Sequence, residues 1–168
     1  MSKYFTTRFF WVMVFLGIGG LIAWVALRPM PGQSLASLGN QHIEKIESSH
    51  KPYNSKPPTS GPHVGNIATW GVHTNQIPDE QQVHNLEDGG VIIHYDPNRV
   101  VAETIVALEA IVIRYPDKVI LEPYAGMDAP IVLTAWTKID KIDGYDEARI
   151  RGFIQAYRGI DQHVPGNG

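Results

Sequence analysis

A loop-forming stretch from Gly39 to Pro78 limits what this 168-residue chain can fold into. Within it, the segment KPYNSKPPTSGPH contains prolines at positions 52, 57, 58 and 62. Proline lacks an amide hydrogen and fixes its own backbone angle, so this stretch cannot form a helix interior or a central strand. We therefore predict an ordered loop that wraps on a domain whose core is built by the residues after it.

Histidines are concentrated in this loop and just after it. The chain has seven histidines and no cysteine, and residues 53–95 contain His63, His73, His84 and His94. The absence of cysteine excludes disulfides, a thiolate nucleophile and cysteine-ligated zinc or iron–sulfur sites. A metal site in this chain must therefore use imidazole, carboxylate, thioether or backbone ligands.

Two of these segments place candidate ligands in suitable local settings. His63 follows a Gly–Pro turn in TSGPH, and a rigid turn lowers the entropy lost when an imidazole binds a ligand. His84 and Glu87 in VHNLEDGG share one face if the segment is helical. Both could bind a metal, or the carboxylate could orient the imidazole. The plainer alternatives are a surface-loop histidine and a solvated pair at a helix end.

Three further side chains complete the predicted ligand set. His94 lies in VIIHY, where strand alternation places it on the same face as Ile92. His42, in GNQHI, flanks the loop, and Met127, in YAGMDAP, is a candidate soft ligand. The alternatives here are a partly buried structural histidine and a methionine at a loop or strand edge. The predicted metal ligands are His63, His84, Glu87, His94, His42 and Met127.

Residues 9–27, FFWVMVFLGIGGLIAWVAL, form an uncharged apolar run. As a helix this run would extend about 28 Å, close to the roughly 30 Å hydrocarbon thickness of a bilayer. Lys3 and Arg8 precede it, which predicts a cytoplasmic N-terminus. We therefore expect an uncleaved single-pass anchor in the cell membrane, with the following domain in the periplasm or outside the cell. A cleaved signal peptide and a buried core helix are the alternatives.

The charge distribution argues against nucleic-acid binding. After residue 28 the chain carries 11 basic and 17 acidic residues, with no basic stripe to neutralise phosphates. The sequence has neither a phosphate-binding glycine loop nor a nucleophile elbow. The expected partners are the membrane, through the N-terminal helix, and a membrane protein.

Hydrophobic periodicity predicts the remaining helices and strands. The predicted helices are 79–88, 102–115 and 146–157, and the predicted strands are 91–95, 118–123 and 131–136. The order β-α-β-β-α from residue 91 predicts an α+β fold: an N-terminal transmembrane helix, then a small mixed-sheet α/β sandwich with a long Pro/Gly-rich ordered loop. We divide the chain into an anchor (1–28), a linker (29–38), a single globular extracytoplasmic domain (39–158) and a flexible tail (159–168).

The motifs PPTSGPH, VHNLEDGG and VIIHY, in that order, resemble the domain-of-unknown-function 3105 family. Members of that family are membrane-anchored bacterial proteins with PPTSGPH and VH-x-LE-x-G motifs. LTAW at 133–136 and ARIRGFIQAY at 148–157 are also similar to that family, so the resemblance covers residues 39–157.

The resemblance implies a site rather than a reaction. It selects His63, His84 and Glu87 by motif position, and it supports His42 because GNQHI resembles the segment that leads into the family's loop. The family motif often reads LEHG, whereas this chain has Asp88 in place of that second histidine.

The favoured function is therefore a membrane-anchored extracytoplasmic metal-binding protein that delivers, buffers or senses copper through a histidine cluster. Zinc is the competing ion, because histidine and carboxylate ligands suit it as well. Two alternatives stay open: a metal-free protein-interaction module that uses the Pro-rich loop, and a metal-dependent hydrolase with Glu87 or Asp88 as base. A binding protein is therefore favoured over an enzyme.

Overall fold

The structure, a computed structural model, describes residues 11, 13–20 and 29–163. The chain divides into two units, residues 1–30 and 31–168. In the first unit, residues 13–20 are helical. No helix among the described residues is long and apolar enough to cross a bilayer. Most of the predicted anchor, residues 1–28, lies outside the described residues.

The second unit is built on a six-stranded mixed sheet with the strand order β1-β8-β7-β5-β6-β4. A separate two-stranded parallel sheet pairs β2 with β3. The strands are β1 Gln33–Ser34, β2 His42–Ile43, β3 His63–Val64, β4 Gly71–Val72, β5 Val91–Tyr95, β6 Val119–Pro123, β7 Ile131–Ala135 and β8 Lys138–Ile142. The helices of this unit are α1 Asp79–Glu87, α2 Ala102–Val112 and α3 Glu147–Tyr157.

Strand β5 lies inside the sheet, parallel to β6 and antiparallel to β7. The β5–α2–β6 connection explains the parallel pair, because parallel strands need a long crossover. Side chains alternate along β5. Ile93 packs in the core formed with α2 and α3, whereas Ile92 packs on the other face against Leu86 of α1. The sheet is therefore covered on both faces, and α1 holds the face on which the histidine-rich loop lies.

The predicted helices and strands between residues 79 and 157 are confirmed with small shifts at their ends. Three strands of the large sheet were not predicted, namely β1, β4 and β8. Strand β8 follows β7 through a two-residue turn in which Thr137 has a φ of +59°. Threonine seldom adopts that angle, so the residues of this turn do not match the usual sequence pattern of a turn. Strand β1 was also missed, because Gln33–Ser34 lies in the segment predicted to be a linker and pairs with β8.

The Pro-rich loop is packed on the domain through its own polar groups. Thr59 and Ser60 are fully buried. The Thr59 carbonyl accepts the Thr137 amide at 2.9 Å, and the Ser60 hydroxyl accepts the Leu38 amide at 3.1 Å. The Tyr53 hydroxyl donates to the carbonyl of residue 62 at 2.5 Å. These bonds fix the backbone immediately before β3, and they therefore fix His63.

Candidate metal centre

Three segments that are distant in sequence bring histidines to one place. Strands β2 and β3 pair with His42 opposite His63, and the two ring centroids lie 4.7 Å apart. Helix α1 adds His84, with ring centroids 5.3 Å from His42 and 5.1 Å from His63. Each of the three imidazoles offers one nitrogen within 4.8 Å of the other two. The convergence on which a histidine site depends is therefore present in the fold.

Backbone carbonyls set the orientation of two of these rings. His63 Nδ1 lies 2.8 Å from the carbonyl of residue 61, and His84 Nδ1 lies 2.7 Å from the Val64 carbonyl. A carbonyl only accepts, so each Nδ1–H donates, and in the neutral ring Nε2 keeps a free lone pair. Burial lowers the pKa of His63, which favours its neutral form. Metal-binding histidines commonly donate their other ring N–H in this way.

Glu87 is buried beside these nitrogens, one turn after His84. Its side chain is only 1% exposed, and Oε2 lies 3.0 Å from His63 Nε2 and 3.8 Å from His42 Nε2. Among the described residues, no hydrogen-bond partner is found for either Glu87 carboxylate oxygen or for His63 Nε2. Two buried acceptors that face each other repel unless a proton or a cation lies between them.

A fourth histidine, His163, reaches the same carboxylate from the segment after α3. Its Nε2 lies 3.5 Å from Glu87 Oε2. His84, Glu87 and His163 form a second group whose ligand atoms lie within 4.8 Å of one another. Sequence reasoning missed His163 because DQHVPGNG is a polar tail with no helical or strand pattern. Only the tertiary structure shows that the chain turns back to α1 at this point.

Three distances from Glu87 Oε2 are close to the ligand–ligand distances of a tetrahedral site. Zinc–nitrogen and zinc–oxygen bonds of about 2.0–2.1 Å imply ligand–ligand distances of about 3.3–3.4 Å. Oε2 is 3.0, 3.8 and 3.5 Å from the Nε2 atoms of His63, His42 and His163. His63 and Glu87 are buried, whereas the His42 and His163 side chains are 55% and 44% exposed. The group therefore has a buried wall and an open rim.

His94 is not part of this cluster. Its Nδ1 lies 2.9 Å from Glu122 Oε1 and its Nε2 lies 2.9 Å from Thr134 Oγ1, and all three residues are fully buried. The Ile77 amide donates to the other Glu122 oxygen at 2.5 Å. The prediction that His94 and Ile92 share a face was correct. On that face, however, the His94 ring contacts side chains of the two neighbouring strands, Glu122 of β6 and Thr134 of β7. This placement follows from the sheet register, which puts Glu122 of β6 opposite His94.

Met127 is also outside the histidine groups found among the described residues. It is buried in a small apolar cluster with Tyr124, Ala129, Val132 and Ile139. Its backbone carbonyl accepts a hydrogen bond from Arg99 at 3.1 Å. The thioether therefore packs as a core side chain, and it supplies no soft ligand to the cluster.

A cavity of about 240 Å³ lies next to the centre. Its lining includes Gly89, Trp136, Tyr157 and Gln162, and the Trp136 ring packs edge-on against His63 with centroids 6.3 Å apart. Ligand pockets typically enclose about 300–1,000 Å³. This space lies below that range, whereas a second cavity of about 400 Å³, lined by Gln41, Ile43 and Pro62 beside His42 and His63, falls within it.

Comparison with known proteins gives one match. Residues 44–168 match the sequence model of the family described as "Protein of unknown function (DUF3105)". The matched region includes His63, His84, Glu87 and His163, and His42 lies just before it. No curated protein and no solved structure matches the chain.

Proposed function

We propose that this chain, which belongs to the DUF3105 family, is a metal-binding protein that holds one transition-metal ion between β2, β3 and α1. The observation that carries the proposal is the pair formed by His63 Nε2 and Glu87 Oε2. These two buried acceptors face each other at 3.0 Å and have no donor among the described residues. A cation bound by both removes the repulsion and uses both lone pairs.

A proton shared by the two groups is the competing explanation. It would make His63 an imidazolium with both N–H groups bonded, one to the carbonyl of residue 61 and one to Glu87. Burial of His63 opposes this charge. A proton would also leave unexplained why His42 and His84 converge on the same point, with His84 Nδ1 already bonded to a carbonyl. Three imidazoles and a carboxylate form a familiar ligand set for a divalent ion.

The donor atoms narrow the choice of ion. The centre offers nitrogen and oxygen, and Met127 adds no sulfur to it. This set suits zinc and copper(II), whereas copper(I) prefers softer ligands. Copper(II) stands above zinc in the general order of divalent affinities. We therefore keep copper as the favoured ion, in its divalent state, with zinc as the competitor.

The exposure of the rim supports a role in delivery, buffering or sensing. His42 and His163 are half exposed, so a partner can reach the ion side of the centre without unfolding the domain. Metal exchange with another protein requires only ligand substitution at the open rim.

The test is metal binding by the full chain, purified in mild detergent and stripped with a chelator. Copper(II) and zinc are titrated in competition with a coloured chelator into wild type and a His63→Ala/His84→Ala variant. We expect one tightly bound equivalent, and an affinity loss of at least 100-fold in the variant. A His50→Ala/His73→Ala variant is the matched control, because neither histidine belongs to the metal-capable groups. Weak binding that the first variant does not change would overturn the proposal.

We also propose that residues 9–27 anchor the domain to the cell membrane, outside the cytoplasm. The support is the uncharged apolar run, with basic residues before it. Fractionation of cells that express the full chain should recover it in alkali-resistant membranes. Removal of residues 1–28 should release it. Recovery of the full chain in the soluble fraction would contradict anchoring and leave the metal proposal untouched.

A further inference from the structure

The segment after α3 lies along the end of α1 and is held there by few contacts. The Gly159 amide donates to the Gly89 carbonyl at 2.8 Å, and the Gln162 amide donates to the Glu87 carbonyl at 2.9 Å. A Cβ on Gly89 would lie 2.8 Å from backbone atoms of Ile160, so the glycine permits this close approach. The segment, residues 159–163, is otherwise mostly exposed.

Within this segment, Asp161 aims His163 at the centre. The Asp161 carboxylate accepts His163 Nδ1–H at 2.7 Å and the His163 amide at 2.8 Å. Nε2 is thereby left facing Glu87 Oε2 at 3.5 Å. A carboxylate on one ring nitrogen with the other nitrogen at a metal position is the usual outer-shell arrangement of a ligating histidine.

His84 is shared by two overlapping ligand groups. One group contains His42, His63 and His84, and the other contains His84, Glu87 and His163. Because His84 Nδ1 donates to the Val64 carbonyl, only Nε2 is free to bind a metal. The two groups therefore cannot hold two ions at once. His42, His63, His84 and Glu87 belong to the body of the domain, whereas His163 belongs to the exposed segment.

We propose that residues 159–163 form a metal-dependent clasp in which His163 is the exchangeable ligand. The ion, bound through Glu87 and His84, holds the segment against α1 by its bond to His163. Detachment of the segment opens one coordination position, through which the ion passes to an acceptor. This inference rests on the proposed function, because it assumes that the centre binds an ion.

The clasp predicts that binding of the ion protects two backbone amides of the segment from hydrogen exchange. Hydrogen exchange at Gly159 and Gln162 reports attachment of the segment, because both amides are bonded to the end of α1. In the full-length wild type, copper(II) or zinc should slow exchange at these amides by at least 10-fold. In His163→Ala the ion should still bind with one-to-one stoichiometry, but it should leave these amides unprotected.

Release kinetics provide the second readout. Loss of an outer-shell partner of a metal ligand typically costs about 10- to 100-fold in affinity. We expect loss of the His163 ligand in His163→Ala to speed transfer of the ion to excess chelator by a similar factor. Asp161→Asn should give a smaller acceleration, because it keeps the imidazole but loses the charged partner. His73→Ala, an exposed histidine outside both groups, should release the ion at the wild-type rate.

The outcomes separate the two proposals. Stoichiometric binding by wild type with equal amide protection in the presence and absence of metal would overturn the clasp and leave the metal centre standing. Identical release rates for wild type and His163→Ala would do the same. Failure of wild type to bind an ion would overturn both proposals.

Discussion

Replacement of Glu87 by glutamine should stabilise the metal-free protein and weaken its response to metal. The carboxylate is buried without a donor, and His63 Nε2 faces it as a second acceptor at 3.0 Å. A glutamine amide of the same shape can donate to that nitrogen. The substitution therefore removes an unfavourable contact in the metal-free protein and creates a hydrogen bond.

The magnitude follows from the cost of buried unsatisfied groups. Relief of one such group contributes about 1–3 kcal/mol, which for a domain of this size raises the melting temperature by roughly 3–5 °C per kcal/mol. Free metal at 1,000 times Kd stabilises wild type by about 4.1 kcal/mol. If glutamine weakens binding about 100-fold, the same metal concentration adds only about 1.4 kcal/mol to Glu87→Gln.

Thermal unfolding followed by tryptophan fluorescence, in chelator and in copper(II), measures both effects. Glu103→Gln on the exposed side of α2 is the control, and it should change neither curve by more than about 0.5 kcal/mol. A loss of about 3–5 kcal/mol by Glu87→Gln in chelator would refute the reasoning. That loss is typical of a broken buried ion pair, and it would mean that a proton joins His63 and Glu87.

Three other results are expected. His63→Ala and His84→Ala should each lose tight copper(II) binding in a calorimetric titration, whereas His73→Ala should retain it; equal losses in all three would contradict a defined centre. Met127→Leu should leave metal affinity within twofold and change stability by less than about 1.5 kcal/mol, because the thioether packs in an apolar cluster; a loss of copper affinity would restore Met127 as a ligand. Burial raises the pKa of Asp79, so the folded state binds this proton more tightly than the unfolded chain. Wild type should therefore lose stability, relative to Asp79→Asn, as pH rises from about 4 through the raised folded pKa; parallel urea-unfolding profiles would contradict this.

The sequence predicted the parts of the fold that depend on local pattern. The helices and the long strands carry their periodicity in their own residues, as in the apolar run of β7 and the spaced apolar face of α3. The unpredicted strands depend on features that hydrophobic periodicity does not encode. The two residues of β1 become a strand only because the edge of β8 is there to pair with them. The turn into β8 requires Thr137 in a conformation that its residue type seldom adopts.

The same distinction between local pattern and tertiary contact applies to the site residues. His84 and Glu87 could be paired because helical spacing is a local rule, and His63 could be proposed because a Gly–Pro turn fixes its backbone. The pairing of His42 with His63 depends on a parallel contact between two-residue strands, which no periodicity encodes. The approach of His163 depends on the chain returning to α1 after its last helix.

Buried histidine alone is a poor guide to function in this chain. His94 is as buried as His63 and also lies beside a carboxylate. The difference lies in the partner of the other ring nitrogen. The Thr134 hydroxyl can donate to His94 Nε2, which leaves Nδ1–H to donate to Glu122, whereas the carbonyl of residue 61 only accepts, so the neutral His63 ring faces Glu87 with an acceptor. Sequence distinguishes loop from strand at these two positions, but it does not show which nitrogen is left without a partner.

Anomalous diffraction from crystals of the copper(II)-loaded full chain would test the central claim most directly. We predict one strong anomalous peak about 2.0–2.1 Å from His63 Nε2, His84 Nε2 and a Glu87 carboxylate oxygen, the bond lengths expected for imidazole and carboxylate ligands. A peak confined to exposed histidines such as His73, with His63 and Glu87 still facing each other at hydrogen-bond distance, would contradict the account.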